Sequence, residues 1–414
     1  MGGSEKGKGQ VFVICPRRQA KRTGSRFRNI RKNAFQSPRL RQTAAMDTAL
    51  FDYPLPEALI AQSPAEPRDS ARLLVVDRAT RRVAHHIFRD LPDLLPPATR
   101  LFRNHASVFK ARLNLHRPTG GGLECLLLHP DLERDPAGQT WWCLLRPGKK
   151  YPVGASFGAE NIFTAFILEK SPDGRILAHF EVKIPGGMIA ITERIGEMPL
   201  PPYIRRKGAD ALDRRAPDSI SYQTIYADPT KKIAAAAPTA GLHFTPAVLD
   251  ALGARGVPMY DLALRVGLGT FRPISADHVE DHVIHREWYE IPSATQIALA
   301  AQGGPRLAVG TTTLRAIEDY YSKHDGSSGP APPSFACQPW LAEADLFVYP
   351  PRRFAGAEIL LTNFHLPRST LLCLVSAFLS PGSVDGIAWL KKVYAEAAAK
   401  NYRFYSYGDA MLIL

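Results

Sequence analysis

Leu123-Glu-Cys-Leu-Leu-Leu128, Trp141-Trp-Cys-Leu-Leu-Arg146, Ile162-Phe-Thr-Ala-Phe-Ile-Leu168 and Ile176-Leu-Ala-His-Phe-Glu-Val182 follow one another in close succession. Turn formers separate them: Thr119-Gly-Gly-Gly, Asp135-Pro-Ala-Gly, Arg146-Pro-Gly and Pro172-Asp-Gly. Short apolar runs at this spacing are too brief for helices and read as strands of an all-β module, a small barrel spanning residues 108–196. The chain has a different texture on both sides, so the flanks are predicted to form one discontinuous domain.

After Glu197, helical and strand patterns alternate. Thr245 to Ala254 reads as a helix with Thr245 as N-cap and Pro246 at its first position. Leu262-Ala-Leu-Arg-Val, Arg306-Leu-Ala-Val-Gly and Ala344 to Tyr349 read as buried strands, Thr311 to Tyr321 and Ser369 to Leu379 as helices. Upstream, Arg72-Leu-Leu-Val-Val-Asp is a buried strand, Phe51 to Ile60 a strand-to-helix transition, and Asp90 to Pro97 a short helix or turn closed by prolines. Alternation of this kind predicts a layered α/β domain over residues 46–107 and 197–414, with ligands beyond the carboxyl ends of the strands.

The 414 residues suffice for two or three domains, and 45% hydrophobic with 22% charged residues is an ordinary core-forming composition. No run supplies the roughly 18 apolar residues of a spanning helix. The net charge of +13 is uneven: residues 1–45 hold twelve Lys and Arg against Glu5 alone, leaving only +2 for the rest. That composition predicts a disordered basic tail. A transit peptide and an RNA-binding arm are two readings of it. Upstream translation before a natural start at Met46 is the one favoured. The five cysteines include no CxxC pair, so neither a disulfide framework nor a cysteine zinc site is expected, and the compartment is read as reducing and cytoplasmic.

Four strings are richer in Gly, His and polar residues than a core requires: Pro238 to Thr245, Val266 to Pro273, Glu280 to Glu290 and Leu361 to Leu372. Thr239, Gly241 and Thr245 suit a loop of N–H and hydroxyl donors at a helix start, where a carboxylate or phosphate would sit; simple capping is the plainer reading. Gly267-Leu-Gly-Thr270 follows a strand, but Arg272 occupies the third glycine of GxGxxG, so a dinucleotide site is rejected. His282 and His285 at HxxH spacing lack an HExxH frame, and no metal is expected. His243, His285 and His365 titrate near neutrality and suit general acid or base work. Tyr222-Gln-Thr-Ile-Tyr and Tyr402-Arg-Phe-Tyr-Ser-Tyr interleave aromatics with polar groups, as stacking surfaces and aromatic cores both do.

From about Leu50 onward the chain resembles the S-adenosylmethionine:tRNA ribosyltransferase-isomerase family of queuosine biosynthesis. The carriers are Phe51-Asp-Tyr-Pro-Leu-Pro, Ala61-Gln-Ser-Pro, Arg68-Asp-Ser-Ala-Arg-Leu, Arg146-Pro-Gly-Lys-Lys and Gly196-Glu-Met-Pro-Leu-Pro-Pro-Tyr-Ile. Further on come Tyr222-Gln-Thr-Ile-Tyr-Ala, Ala237-Pro-Thr-Ala-Gly-Leu-His-Phe-Thr, Val266-Gly-Leu-Gly-Thr-Phe-Arg-Pro, Thr362-Asn-Phe-His-Leu-Pro-Arg-Ser-Thr-Leu and Tyr402-Arg-Phe-Tyr-Ser-Tyr-Gly-Asp-Ala-Met.

The resemblance implies an α/β domain interrupted by a β-barrel. It implies transfer of the ribosyl part of S-adenosylmethionine to 7-aminomethyl-7-deazaguanine at the tRNA wobble position, giving epoxyqueuosine and releasing adenine and methionine. S-adenosylmethionine is then a substrate; no cofactor or metal is implied, no membrane is involved, and a monomer is expected. Such chemistry needs a base for the carbon beside the sulfonium and an acid for adenine. His243, His285 and His365 are the candidates for proton transfer. Arg272 and Arg315 are candidates for a carboxylate or phosphate, and Asn363 and Thr239 for base edges, with Gly241, Gly267, Gly269 and Thr270 as substrate-binding loop positions. The chain departs from the family pattern at Asn104-His-Ala-Ser107, at Arg265 where His is usual, and at Lys231-Lys-Ile-Ala in place of a Gly-containing turn. The alternative reading is a catalytically impaired relative that still binds tRNA or S-adenosylmethionine. A methyltransferase is discounted, for want of a glycine-rich strand–turn–helix motif near the N-terminus.

Overall fold

Strands of alternating burial build the frame. In Arg72–Asp77, Leu73 and Val75 enter one hydrophobic cluster while Leu74 and Val76 enter another. Ile359–Asn363 and Ala410–Ile413 alternate in the same way, Leu360, Met411 and Ile413 to one side and Ile359, Leu361, Ala410 and Leu412 to the other. Because successive side chains leave a strand on opposite faces, a strand that is apolar throughout must be covered on both. The helices Thr370–Leu379 and Asp385–Ala399 cover one face, and the helix Pro246–Ala254 the other.

The computed structural model describes residues 45–116, 120–206, 215–267, 273–324 and 338–414. The basic tail up to residue 44 lies outside them, as do Gly269, Thr270 and Arg272. In chain order the strands are β1 (Arg72–Asp77), β2 (Arg82–Ile87), β3 (Arg100–Asn104), β4 (Ala106–Val108), β5 (Arg112–His116) and β6 (Gly122–Pro130). Next come β7 (Thr140–Arg146), β8 (Ser156–Ala159), β9 (Phe163–Lys170), β10 (Ile176–Val182), β11 (Gly196–Glu197) and β12 (Asp228–Ala234). The last are β13 (Met259–Leu264), β14 (Glu287–Ile291), β15 (Arg306–Val309), β16 (Trp340–Ala344), β17 (Ile359–Asn363) and β18 (Ala410–Ile413).

Among the described residues, nine strands form a mixed sheet in the order β16-β14-β13-β3-β15-β17-β18-β1-β2. Its centre, β13-β3-β15-β17, is parallel, so four strand ends point the same way. A second sheet, β11-β5-β6-β7-β10-β9-β8, is antiparallel throughout and curls as a half-barrel around its own core of Phe109, Leu127, Phe163, Phe180 and Ile191. The short parallel pair β12-β4 completes the described strands.

Several readings from sequence are corrected. The Ala344–Tyr349 strand is displaced to Trp340–Ala344, because the N–H groups of Asp345 and Leu346 turn to Asp319 Oδ1 (3.2 and 3.3 Å) instead of continuing the ladder. Phe51–Ile60 holds no strand; two 3₁₀ turns, Thr48–Phe51 and Glu57–Leu59, flank the prolines. The helix Pro246–Ala254 is as read from sequence, with Thr245 as its cap, the hydroxyl accepting from Val248 N. Tyr222, Tyr402 and Tyr407 are buried, so these aromatics pack inside rather than form a stacking surface. Cys125, Cys143 and Cys373 are buried free thiols. No helix of the described residues is long and apolar enough to cross a membrane.

Candidate active site

The carboxyl ends of the parallel strands bring the polar strings together. β17 is buried along its whole length and delivers Thr362, Asn363 and His365 to one end of the sheet. β15 ends at Gly310, whose φ of +92° turns the chain sharply into the helix Thr311–His324, a conformation glycine adopts without steric cost. β13 runs on into Val266 and Gly267, while the 3₁₀ turn Thr239–Gly241 closes in from the opposite side.

Two clefts open there. One, of about 540 Å³, is lined by Thr239, Val266, Asn363, His365, Tyr405 and Ser406 among others. The other, of about 500 Å³, is lined by His282, His285, Glu287, Arg315 and Phe347 among others. Thr311, Thr312 and Leu371 belong to both walls, so the two adjoin. Each falls within the roughly 300–1,000 Å³ typical of a small-molecule site.

A hydrogen-bond chain organises the first cleft. Thr239 Oγ1 donates to Asn363 Oδ1 (2.9 Å), and the Asn363 amide meets His243 Nε2 at 3.3 Å. With the amide nitrogen as donor, that ring nitrogen is an acceptor and the imidazole is neutral. His243 is only 5% exposed and lies behind the cleft, its ring 5.0 Å from Phe88. Burial pushes its pKa down to about 4, opposed by Asp409 and assisted by Arg403 and Arg68. His365, half-buried in the cleft wall, meets Thr362 Oγ1 through Nε2 at 2.8 Å, and burial lowers its pKa to about 3. The Tyr53 hydroxyl donates to the His365 carbonyl, and the His365 N–H donates to Tyr394 Oη at 3.0 Å, which fixes the backbone. At neutral pH both imidazoles are therefore uncharged, which corrects the near-neutral titration expected from sequence and makes each a weak proton acceptor.

The second cleft is built on a buried ion pair. Arg315 Nη1 donates to Glu287 Oε2 at 2.9 Å, and its remaining nitrogens donate to the carbonyls of His285, Ala344 and Leu346, each at 2.9 Å. Glu287 Oε1 accepts from Gly267 N at 2.9 Å, tying the end of β13 to the Arg315 helix. Burial, with the neighbouring His285 as a lesser cause, lowers the pKa of His282. Among the described residues, no group of three His, Cys, Asp or Glu side chains is placed to hold a metal.

Of the residues singled out from sequence, Thr239, Asn363 and His365 line the first cleft, and His285 and Arg315 the second. His243 touches the site through Asn363. Gly267 takes part through its N–H to Glu287. Gly241 lines neither cleft: a Cβ there would lie 2.0 Å from Tyr226 Oη, so its bareness admits that buried ring. Thr311 and Thr312 were not anticipated, although a Gly-Thr-Thr-Thr run at a strand end was a usable signal. Tyr405 and Ser406 were read only as part of an aromatic string.

Residues 48–413 match the sequence model of a family described as queuosine biosynthesis protein. The chain is 41% identical over 372 residues to the S-adenosylmethionine:tRNA ribosyltransferase-isomerase of Thermotoga maritima, covering 89% of this chain and 100% of that protein. It is 44% identical to the protein of the same name from Gloeobacter violaceus, covering 89% and 96%. A crystal structure of an S-adenosylmethionine tRNA ribosyltransferase from Thermotoga maritima is similar at 32% identity and a TM-score of 0.46, covering 88% of this chain and 100% of that one. This chain belongs to the queuosine biosynthesis protein family.

Proposed function

We propose that the chain is an S-adenosylmethionine:tRNA ribosyltransferase-isomerase, moving the ribosyl part of S-adenosylmethionine onto 7-aminomethyl-7-deazaguanine in the tRNA wobble position. The observation that carries this reading is the pair of adjoining clefts at the parallel strand ends, divided only by Thr311, Thr312 and Leu371. One substrate spans both, and the modified base enters from the open side. The two relatives bear that activity as their name.

His365 is the candidate proton acceptor for the carbon beside the sulfonium because it lines the cleft, although burial makes it a weak base there. His243 is a positioning residue that orients Asn363, and Asn363 with Thr239 recognises a base edge. His285 is the remaining candidate for the proton that leaves with adenine. Arg315 shapes the second cleft through Glu287, while Arg272 and the loop of Gly267, Gly269 and Thr270 keep their assignment to substrate. S-adenosylmethionine is a substrate, with no further cofactor. The frame is read as a layered α/β domain of residues 46–107 and 197–414 with residues 108–196 inserted as a small barrel, acting as a cytoplasmic monomer.

The test is incubation of the chain with S-adenosylmethionine and tRNA carrying 7-aminomethyl-7-deazaguanine. Adenine and epoxyqueuosine are expected in equal amounts. Bound tRNA without adenine release would overturn this reading in favour of the impaired relative.

A further inference from the structure

Arg265, a cation next to the site, has no carboxylate partner among the described residues. Arg265 continues β13 by one residue, and its N–H donates to the carbonyl of Trp288 on β14 at 2.9 Å. The register of that antiparallel pair sets Ala263 opposite Glu290 and Leu264 opposite Tyr289, so Arg265 stands opposite Trp288. Directly opposed residues share a face, with Cβ atoms roughly 5 Å apart. That face is open on β14 and its neighbouring edge strand, where Trp288 is 46% and Leu341 66% exposed, and covered on β13 at Ala263, 1% exposed; Tyr289 on the opposite face is 2% exposed.

The neighbouring charges on this side are largely neutralised. Lys231 pairs with Glu290 at 2.6 Å and Arg286 with Glu343 at 3.5 Å. The half-buried Arg265 guanidinium has no ion-pair or hydrogen-bond partner among the described residues, and His129 of β6 lies close enough to feel its charge. A partly desolvated guanidinium left without an anion attracts one more strongly than an exposed lysine does. Beside it lies the exposed indole of Trp288. A phosphate and a stackable base, one nucleotide apart, are what that pair fits.

We propose that the exposed face of β14, with Arg265 just past the end of β13, docks single-stranded RNA flanking the reacting nucleotide, with a phosphate on Arg265 and a base stacked on Trp288. This rests on the tRNA-modifying reading and adds its docking surface. The position suits it: the next residue, Val266, already lines the first cleft. The nearly neutral body, +2 beyond residue 45, makes a local contact of this kind necessary for a polyanion.

The test measures binding of tRNA and of S-adenosylmethionine by the full chain and by Arg265→Gln, Trp288→Ala and Trp288→Phe, across a salt series. Arg265→Gln is expected to weaken tRNA binding and reduce the slope of log affinity against log salt by about 1. Trp288→Ala is expected to weaken tRNA binding roughly ten-fold or more, with Trp288→Phe restoring most of it. S-adenosylmethionine affinity stays at the level of the unsubstituted chain throughout. Unchanged tRNA affinity and salt slope in the variants, with the unsubstituted chain binding tRNA, would overturn the docking surface alone. Failure of the unsubstituted chain to bind tRNA would overturn the underlying reading as well. A change in self-association in place of RNA affinity would assign the face to a second copy and sink the proposal.

Discussion

Acidification is expected to destabilise the fold through His243, and the size of the effect follows from its surroundings. The ring is 5% exposed, packed on Phe88, and accepts from the Asn363 amide, so a proton on it removes a hydrogen bond and buries a charge. Its pKa falls from 6.5 to about 4 on folding. Between those values the unfolded chain holds a proton that the folded chain lacks, so stability rises with pH across the window. Above pH 6.5 the residue costs nothing. As pH falls through the window the penalty grows, and below pH 4 it is complete at about 3 kcal/mol. His243→Gln keeps an acceptor for Asn363 and cannot titrate. Urea unfolding of both proteins at a series of pH values from 7 to 4 gives the comparison, because shared carboxylate titrations cancel in the difference. The expected result is a slope smaller in the variant by up to about 1.4 kcal/mol per pH unit, the value for one proton. Parallel curves would refute the assignment of His243 as a buried, neutral acceptor.

Other expectations follow from single contacts. Arg315→Ala removes the guanidinium from Glu287, itself 5% exposed, and should cost about 3–5 kcal/mol in denaturant unfolding, with Arg315→Met/Glu287→Leu recovering much of the loss. Gly241→Ala drives a methyl to 2.0 Å from Tyr226 Oη and should destabilise by about 1–3 kcal/mol, visible as a lowered Tm. Thr245→Ala strips the cap of the Pro246–Ala254 helix and should cost about 1 kcal/mol by the same measurement. Asn363→Asp offers His243 a carboxylate in place of an amide donor. It should raise the imidazole pKa, shift the pH profile of adenine release and shrink the acid penalty in unfolding.

What sequence alone conveyed depended on how local the cause was. The Pro246–Ala254 helix was readable to the residue, since a threonine cap followed by proline acts within one turn. Four of the seven strands of the half-barrel, β6, β7, β9 and β10, were readable because Gly, Pro and Asp mark their ends; β5, β8 and β11 were missed. β3 and β18, five and four residues long, were missed. Runs that short carry no period of their own, and only partners far along the chain make them strands. The site divides in the same manner. Thr239, Asn363 and His365 stood out because polar residues interrupt apolar runs. Thr311 and Thr312 did not, because hydroxyls at a helix start look like ordinary caps. Arg315 has the appearance of a ligand-binding arginine in sequence, and only the fold shows four protein acceptors around it.

β18 lies between β17 and β1, pairing Leu73 with Ala410 and Val76 with Ile413 across more than three hundred residues. The entropy of closing so long a loop rises only slowly with length, so the equilibrium cost is modest, but the closure is late. During synthesis the β1–β2 hairpin emerges early with one edge of unpaired N–H and C=O groups, and nothing made in the next several hundred residues fills it. All strands of the half-barrel are made by residue 197; the nine-stranded sheet is complete only with residue 413. Until the last strand arrives, that edge is a template for pairing with another nascent chain, which makes translation rate and chaperone occupancy determinants of the yield of this enzyme.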